Sequence, residues 1–304
     1  RSRRLMDLKR RRKLHNNQME KDHNQPNKPF YEDTGAPRKR KRKRIQRSGK
    51  PELIRRSDHL PEPPKQKEEP IRLNRFIARA GVCSRRDADD LIANGEIKVN
   101  GDVITEMGVK ILPGTDKVEY RGEVLEPQQF VYVLLNKPKN MITTMQDPMG
   151  RRIVLDAIFR ATKERVYPVG RLDRNTTGLI LLTNDGEMTS KMTHPNQLIK
   201  KIYQARLDKP LTKEHMNMML EGLDLEDGIV RVDKIDYVFD RPKNFIGLEI
   251  SSGKNRAVKR MFEHLGYFVM SLDRVTFGPL TKKGLPRGKW RKLDDREVGW
   301  LKML

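Results

Sequence analysis

From Ile71 onward the chain carries the periodic apolar pattern that a folded core requires. Leu73, Phe76, Ile77 and Ala80 recur at i, i+3, i+4 and i+7, the spacing of one helical face. Gly81 supplies the stop. Ser84 stands where an N-cap belongs, and Ala88, Leu91 and Ile92 form a second apolar stripe that Gly95 ends. Ile97 and Val99 alternate into Asn100-Gly101, a strong hairpin signal, and Val118, Tyr120 and Val124 flank a second turn at Arg121-Gly122. The pattern predicts two short helices and a small sheet in a module spanning residues 70–127.

A larger module, residues 128–304, reads differently. Residues 130–135 predict a buried strand followed by a turn at Asn136-Lys137-Pro138, and the run Leu179, Ile180, Leu181, Leu182 predicts another buried strand. Residues 202–207, 229–238, 245–250 and 268–275 add strand-like runs. Helices are predicted over 212–222 and 255–265. In the second, Val258, Met261, Phe262 and Leu265 make the apolar stripe, and Arg256, Lys259, Arg260 and Glu263 lie off it. Strands dominate without alternating regularly with helices, which points to an α+β fold with a mostly antiparallel sheet rather than a doubly wound one.

Charge adds a third region. The chain of 304 residues carries a formal net charge of +23, and residues 1–70 hold 23 Lys and Arg against 10 Asp and Glu. Seven consecutive cations run from position 38 to 44. Residues 1–69 therefore read as a disordered basic tail that cannot bury enough apolar area to offset its ordering entropy. Its role is either a phosphate-seeking arm or plain solubility. No run approaches the ~18 apolar residues of a membrane span. Cys83 is the single cysteine, and the basic start lacks an apolar core for a secretory signal. These features lead us to expect a cytoplasmic protein with a polyanionic partner and no membrane.

Candidate chemistry is sparse. Arg72, Arg75, Arg79, Arg85 and Arg86 surround the first helix pair and Lys98 lies on the strand after it, a set able to fork onto phosphates. Cys83 has no neighbouring base and reads as a small packed side chain. No dinucleotide fingerprint, phosphate-binding P-loop or zinc-protease motif occurs, so no metal site and no cofactor is expected. The most unusual stretch is Gly170-Arg171-Leu172-Asp173-Arg174-Asn175-Thr176-Thr177-Gly178, a lone Asp between two arginines in a loop that enters an apolar strand. Taken on its own, Asp173 is either a reactive group or an ion-pair partner of Arg171 or Arg174.

The run from Arg72 to Arg86, continued by Lys98-Val99-Asn100-Gly101, resembles an S4 RNA-binding domain. The stretch from Gly170 to Gly186 resembles the signature of the RsuA-type ribosomal-RNA pseudouridine synthases. Further matches are Leu135-Asn136-Lys137-Pro138, Asp147-Pro148-Met149-Gly150-Arg151, the run Lys201-Ile202-Tyr203-Gln204-Ala205-Arg206-Leu207, and residues 253–262. The S4-then-synthase order is that family's usual arrangement, and the likeness covers residues 71–304.

The resemblance implies isomerisation of uridine to pseudouridine within an RNA chain, without a cofactor. It assigns the essential carboxylate to Asp173, which either attacks C1′ or removes the C2′ proton. It gives Asp173 a cationic partner, Lys259 by motif position or its neighbour Arg260, because this chain has Ala257-Val258-Lys259-Arg260 where the family more often has Gln-Val-Arg-Arg. It gives Tyr203 to the base, in place of an otherwise reasonable core role. Lys137, Arg171, Arg174, Arg256 and Arg260 become RNA contacts. Asn140 stands where the family often has glycine. The implied partner is ribosomal RNA, free or in assembly intermediates, with motif variants closer to large-subunit than small-subunit enzymes. No exposed apolar stripe is evident, which favours a monomer. Two other readings are an inactive S4-type ribosome assembly factor and a DNA-binding protein using the tail.

Overall fold

The computed structural model describes residues 69–304, so the expectations for the basic tail fall outside the described residues. The chain enters through β1 (Ile71–Arg72), α1 (Leu73–Arg79) and α2 (Arg85–Ala93). Ser84 does cap α2: its Oγ accepts from the Asp87 amide and the Asp87 carboxylate accepts from the Ser84 amide, at 3.2 and 3.3 Å. This reciprocal box satisfies two otherwise orphaned donors. Then follow β2 (Ile97–Val99), β3 (Asp102–Ile104), β4 (Lys110–Ile111), β5 (Val118–Tyr120) and β6 (Glu123–Val124). Four of these form a sheet in the order β3-β2-β5-β6, and β1 pairs with β4. Both predicted hairpins form. Asn100 and Arg121 take positive φ, and Gly101 and Gly122 follow with positive φ, as two-residue turns matched to strand twist require. Leu73, Phe76, Ile77, Ala88, Ile92, Ile97, Ile111 and Val118 are buried together beneath the two helices.

The second module is built on β7 (Tyr132–Lys137), α3 (Val154–Ile158), β8 (Tyr167–Pro168), β9 (Thr177–Thr183), α4 (Gly186–Thr193), β10 (Lys201–Leu207), α5 (Lys213–Glu221) and the hairpin β11 (Leu223–Leu225) with β12 (Gly228–Val230). It continues through β13 (Lys234–Tyr237), β14 (Phe245–Ile250), α6 (Ala257–His264), β15 (Val269–Phe277), β16 (Leu280–Thr281), β17 (Trp290–Lys292) and α7 (Asp295–Met303). One sheet runs β13-β14-β10-β15-β9-β7-β17, with β16 on β15 and β8 on β9. Every pairing in it is antiparallel except β9 with β15. The α+β expectation holds.

Three local expectations need correction. Asn136 and Lys137 continue β7 instead of turning, because both side chains find acceptors inside the fold: Asn136 donates to the Leu285 carbonyl at 2.8 Å, and Lys137 to main-chain carbonyls described below. Residues 229–238 form two strands. β12 stays in its hairpin with β11 while β13 joins β14, and Val232 turns inward between them. Arg256 does not belong to α6. It precedes the helix in the left-handed region at φ 50°.

The strand sequences follow from what covers them. β7 and β9 are buried along their whole lengths. Tyr132, Leu134, Leu179 and Leu181 face Met188 and Met192 of α4 and Leu301 of α7. Val133, Leu135, Ile180 and Leu182 face Val154 and Ile158 of α3. A strand covered on both sides carries apolar residues at successive positions, which is why 179–182 shows no alternation, and the polar exceptions Asn136, Lys137 and Thr177 each bond an acceptor inside the fold. β14, covered on one side, alternates instead: Ile246, Leu248 and Ile250 pack with Met261 and Phe262 of α6.

Gly178 marks the parallel junction. Its Cα pairs with that of Arg274, its φ is 107°, and a Cβ there would lie 2.2 Å from the Arg274 carbonyl oxygen. Only glycine lets the two backbones approach this closely.

Candidate active site

The loop between Gly170 and β9 is pinned from several directions. Leu172 is buried, and its main-chain N–H and C=O both meet the Thr143 hydroxyl, at 3.3 and 2.8 Å. The Thr176 amide donates to the Asp173 carbonyl at 3.1 Å, and the Asn140 amide to the Arg174 carbonyl at 2.9 Å. Asn140 adopts φ 62°, a conformation that Asn tolerates better than most residues. The loop's entry into the doubly buried β9 fixes its far end.

Asp173 rises from this loop toward α6. On that helix Val258, Met261 and Phe262 face the core, and Lys259, off the stripe, projects toward the loop. Lys259 Nζ lies 2.6 Å from Asp173 Oδ2. Arg260 instead pairs with Asp227 at 2.8 Å. The two basic candidates are thus separated by geometry. Neither Arg171 nor Arg174 bonds the Asp173 carboxylate, and among the described residues Lys259 is its one hydrogen-bonding partner.

The Asp173–Lys259 pair borders a cleft of about 160 Å³. Tyr203 and Lys201 line it from β10, Arg274 and Leu272 from β15, Ile250 from β14, and Arg171 and Arg256 from the flanking loops. Lys201 and Tyr203 are two residues apart on one strand and share a face. The cleft therefore presents a carboxylate, an aromatic ring, apolar walls and several cations, enough to hold a planar polar ring beside an anionic group.

Beneath the loop, Lys137 is fully buried. It was expected to touch RNA, and its burial rules that out. Its Nζ donates to the carbonyls of Thr176, Pro138 and Arg174, at 2.8, 3.2 and 3.3 Å. Burial pushes its ammonium down to about 8, with Asp173 pulling it up and Lys259 pushing it further down. Lys137→Met removes the donor shared by the Arg174 and Thr176 carbonyls. We expect the stretch that follows Asp173 to lose its anchorage, read as faster amide hydrogen exchange at residues 173–176 than in the wild type. Stability carries a second signature. Below about pH 8 native and unfolded chains both hold the proton, so the cost of the buried charge is fully present. As pH rises toward 10.5 the unfolded chain binds more protons, and wild-type stability gains on the variant. Urea titrations of both proteins from pH 7 to 10.5 check the direction.

The other expected contacts are spread over the surface. Arg72, Arg79, Arg85, Arg86 and Lys98 are exposed on the small module. Arg75 pairs with Glu187 of α4, and Arg79 stacks on the Phe130 ring at 5.0 Å. Arg174 is exposed beside the cleft, and Arg256 pairs with Glu263 at 3.3 Å. Cys83 packs against the small core, and burial pushes its thiol up, which suits a packing role. Two motif acids are structural. Asp185 caps α4 and accepts from the Tyr132 hydroxyl at 2.7 Å, and Asp147 grips the Arg151 guanidinium and amide. Sequence reasoning missed Lys201 and Arg274. The signal for Lys201 was its two-residue spacing from Tyr203. For Arg274 it was a lone cation inside an apolar strand run. No helix among the described residues is long and apolar enough to cross a membrane.

Both modules resemble known proteins. The family model for RNA pseudouridylate synthase matches residues 131–264, and that for the S4 domain matches residues 71–116. The chain is 43% identical over 236 residues to a ribosomal large subunit pseudouridine synthase B of Bacillus subtilis (strain 168), covering 77% of this chain and 96% of the relative. It is 35% identical over 231 residues to a dual-specificity RNA pseudouridine synthase of Escherichia coli (strain K12), covering 75% and 77%. A crystal structure of a pseudouridylate synthase superposes with a TM-score of 0.54 at 27% identity, covering 76% of this chain and 99% of that one.

Proposed function

The chain belongs to the RNA pseudouridylate synthase family, and on that footing we propose that it converts a uridine of large-subunit ribosomal RNA to pseudouridine with Asp173 as the catalytic carboxylate. The observation that carries this reading is the Asp173–Lys259 pair at the edge of a ring-sized cleft that Tyr203 also lines. The named large-subunit relative supports the choice of RNA.

The chemistry asks for little beyond these groups. The N1–C1′ bond breaks with its electron pair going to the base, the base turns, and C5 joins C1′. C5 then loses its proton and N1 gains one, so atoms and charge balance and no redox partner enters. Asp173 serves as an anion, either adding to C1′ or taking the C2′ proton. Lys259 holds one carboxylate oxygen, and the other accepts no hydrogen bond among the described residues. Tyr203 offers a ring for the base to lie against. The target nucleotide reaches this site only by leaving its stack, at a cost of a few kcal/mol that an unpaired base reduces.

The exposed arginines of the small module and Lys98 would grip the surrounding RNA fold by its backbone and shape. An extruded base buried in finished subunits would be out of reach, so free rRNA or assembly intermediates fit best as substrate. Incubating the full chain with large-subunit rRNA, assembly particles and mature subunits, then mapping pseudouridine chemically, tests both points. New pseudouridine in the first two and not in the third is the expected result. Its absence from every rRNA overturns the isomerase reading, and equal rates on mature subunits overturn the assembly-stage reading.

A further inference from the structure

The cleft holds more positive charge than the Asp173–Lys259 pair explains. Arg274 is 3% exposed and lines the cleft from β15. Its Nε donates to the Leu179 carbonyl at 2.7 Å, and its guanidinium lies 4.3 Å from the centre of the Phe277 ring. Its Nη2 is buried without an acceptor among the described residues. A buried guanidinium donor left unpaired is costly and calls for an explanation. Lys201 lines the same cleft from the adjacent strand, and one proton of its ammonium goes to the Ser251 carbonyl at 3.0 Å. The ammonium has two further protons to give. The two side chains are close enough for Arg274 to push the Lys201 ammonium down, with burial the larger cause. No hydrogen bond joins either cation to a carboxylate among the described residues, so one buried and one half-buried positive group face a cleft that holds one anion, already neutralised by Lys259.

Such an arrangement suits a ligand that acquires negative charge only after it enters. We infer that Lys201 and Arg274 form the anion-binding floor of the cleft, donating to a carbonyl oxygen of the uracil and stabilising the base as it detaches. The inference rests on the isomerase reading above. When the N1–C1′ bond breaks, the departing electron pair spreads over N1, O2 and O4 of the base. Fixed donors aimed at that charge lower the barrier because they need no reorganisation when it appears. They also keep the free base in the cleft while it turns to present C5. Neither residue forms a covalent bond, and neither gains or loses a proton overall.

The Lys201 variants carry the test, because removing the Arg274 guanidinium also breaks its bond at the β9–β15 junction. The full chain and its Lys201→Met and Lys201→Arg variants are compared in single-turnover reactions on an rRNA fragment. The target uridine is tested unmodified and as 2-thiouridine or 4-thiouridine. Lys201→Met should lower the rate roughly 100-fold with RNA affinity within threefold, and Lys201→Arg should recover most of it. In the wild type, sulfur at the contacted position accepts hydrogen bonds poorly and slows the reaction. In Lys201→Met that sulfur penalty should disappear, the non-additivity of two changes to one contact. A Lys201→Met rate equal to wild type overturns the inference. So does a slow variant whose sulfur penalties match the wild type at both positions, which would mark Lys201 as structural. Absence of pseudouridine with the wild type removes the isomerase reading itself, a separate outcome from either of these.

Discussion

Asp173→Asn is expected to abolish pseudouridine formation, by on the order of 10,000-fold in kcat, while leaving RNA affinity and thermal stability close to wild type. The argument combines chemistry with exposure. The Asn side chain has the same shape and its carbonyl oxygen still accepts from Lys259, so the loop keeps its pins at Leu172, Arg174 and Thr176. What is lost is the negative charge, and both possible routes, attack on C1′ and removal of the C2′ proton, need it. The Asp173 side chain is 35% exposed and that of Lys259 16%, so the ion pair is screened and adds little to stability. A kcat collapse without a shift in melting temperature is therefore the distinguishing pattern. An Asn variant that keeps more than about a hundredth of wild-type activity would end the assignment of Asp173 as catalytic.

The second large effect concerns folding. Gly178→Ala places a Cβ 2.2 Å from the Arg274 carbonyl oxygen and 2.5 Å from its amide nitrogen. Neither is the end of a flexible side chain, so β9 and β15 must separate. The residue would also be held at φ 107°, which alanine avoids. Both strands are in the middle of the sheet. We expect a loss of at least about 4 kcal/mol, read as failure to accumulate folded protein or as a large drop in urea midpoint. Gly299→Ala is the control. It lies within α7 with nothing within 4 Å of a built Cβ, and alanine there should stabilise by roughly 0.5–1 kcal/mol. Equal behaviour of the two variants would contradict the close-approach account.

Local patterns carried the small module well, because its helices and hairpins are closed by residues near in sequence: Ser84 with Asp87, Asn100 with Gly101, Arg121 with Gly122. They carried the candidate site only in part. The choice between Lys259 and Arg260 was open in the sequence, since both lie off the α6 stripe. It was decided by Asp227, which draws Arg260 away. Lys137 was misread because a lysine beside Pro138 looks like a turn. Its burial comes from carbonyls some 40 residues downstream, in a loop that no local window includes. Arg274 and Gly178 are linked by the one parallel pairing in the sheet, a contact between residues nearly 100 positions apart, and neither residue's own neighbourhood announces it.

That long-range pairing also orders events in time. The Asp173–Lys259 contact spans 86 residues and joins a loop before β9 to a helix after β14. Its support, the β9–β15 junction, is made later still in the chain. During synthesis the arginine-bearing helices emerge and complete their own small core long before β15 leaves the ribosome. The small core thus closes from residues 73–118 alone, and the Asp173–Lys259 contact gains its full support only once the strand at residues 269–277 has been made.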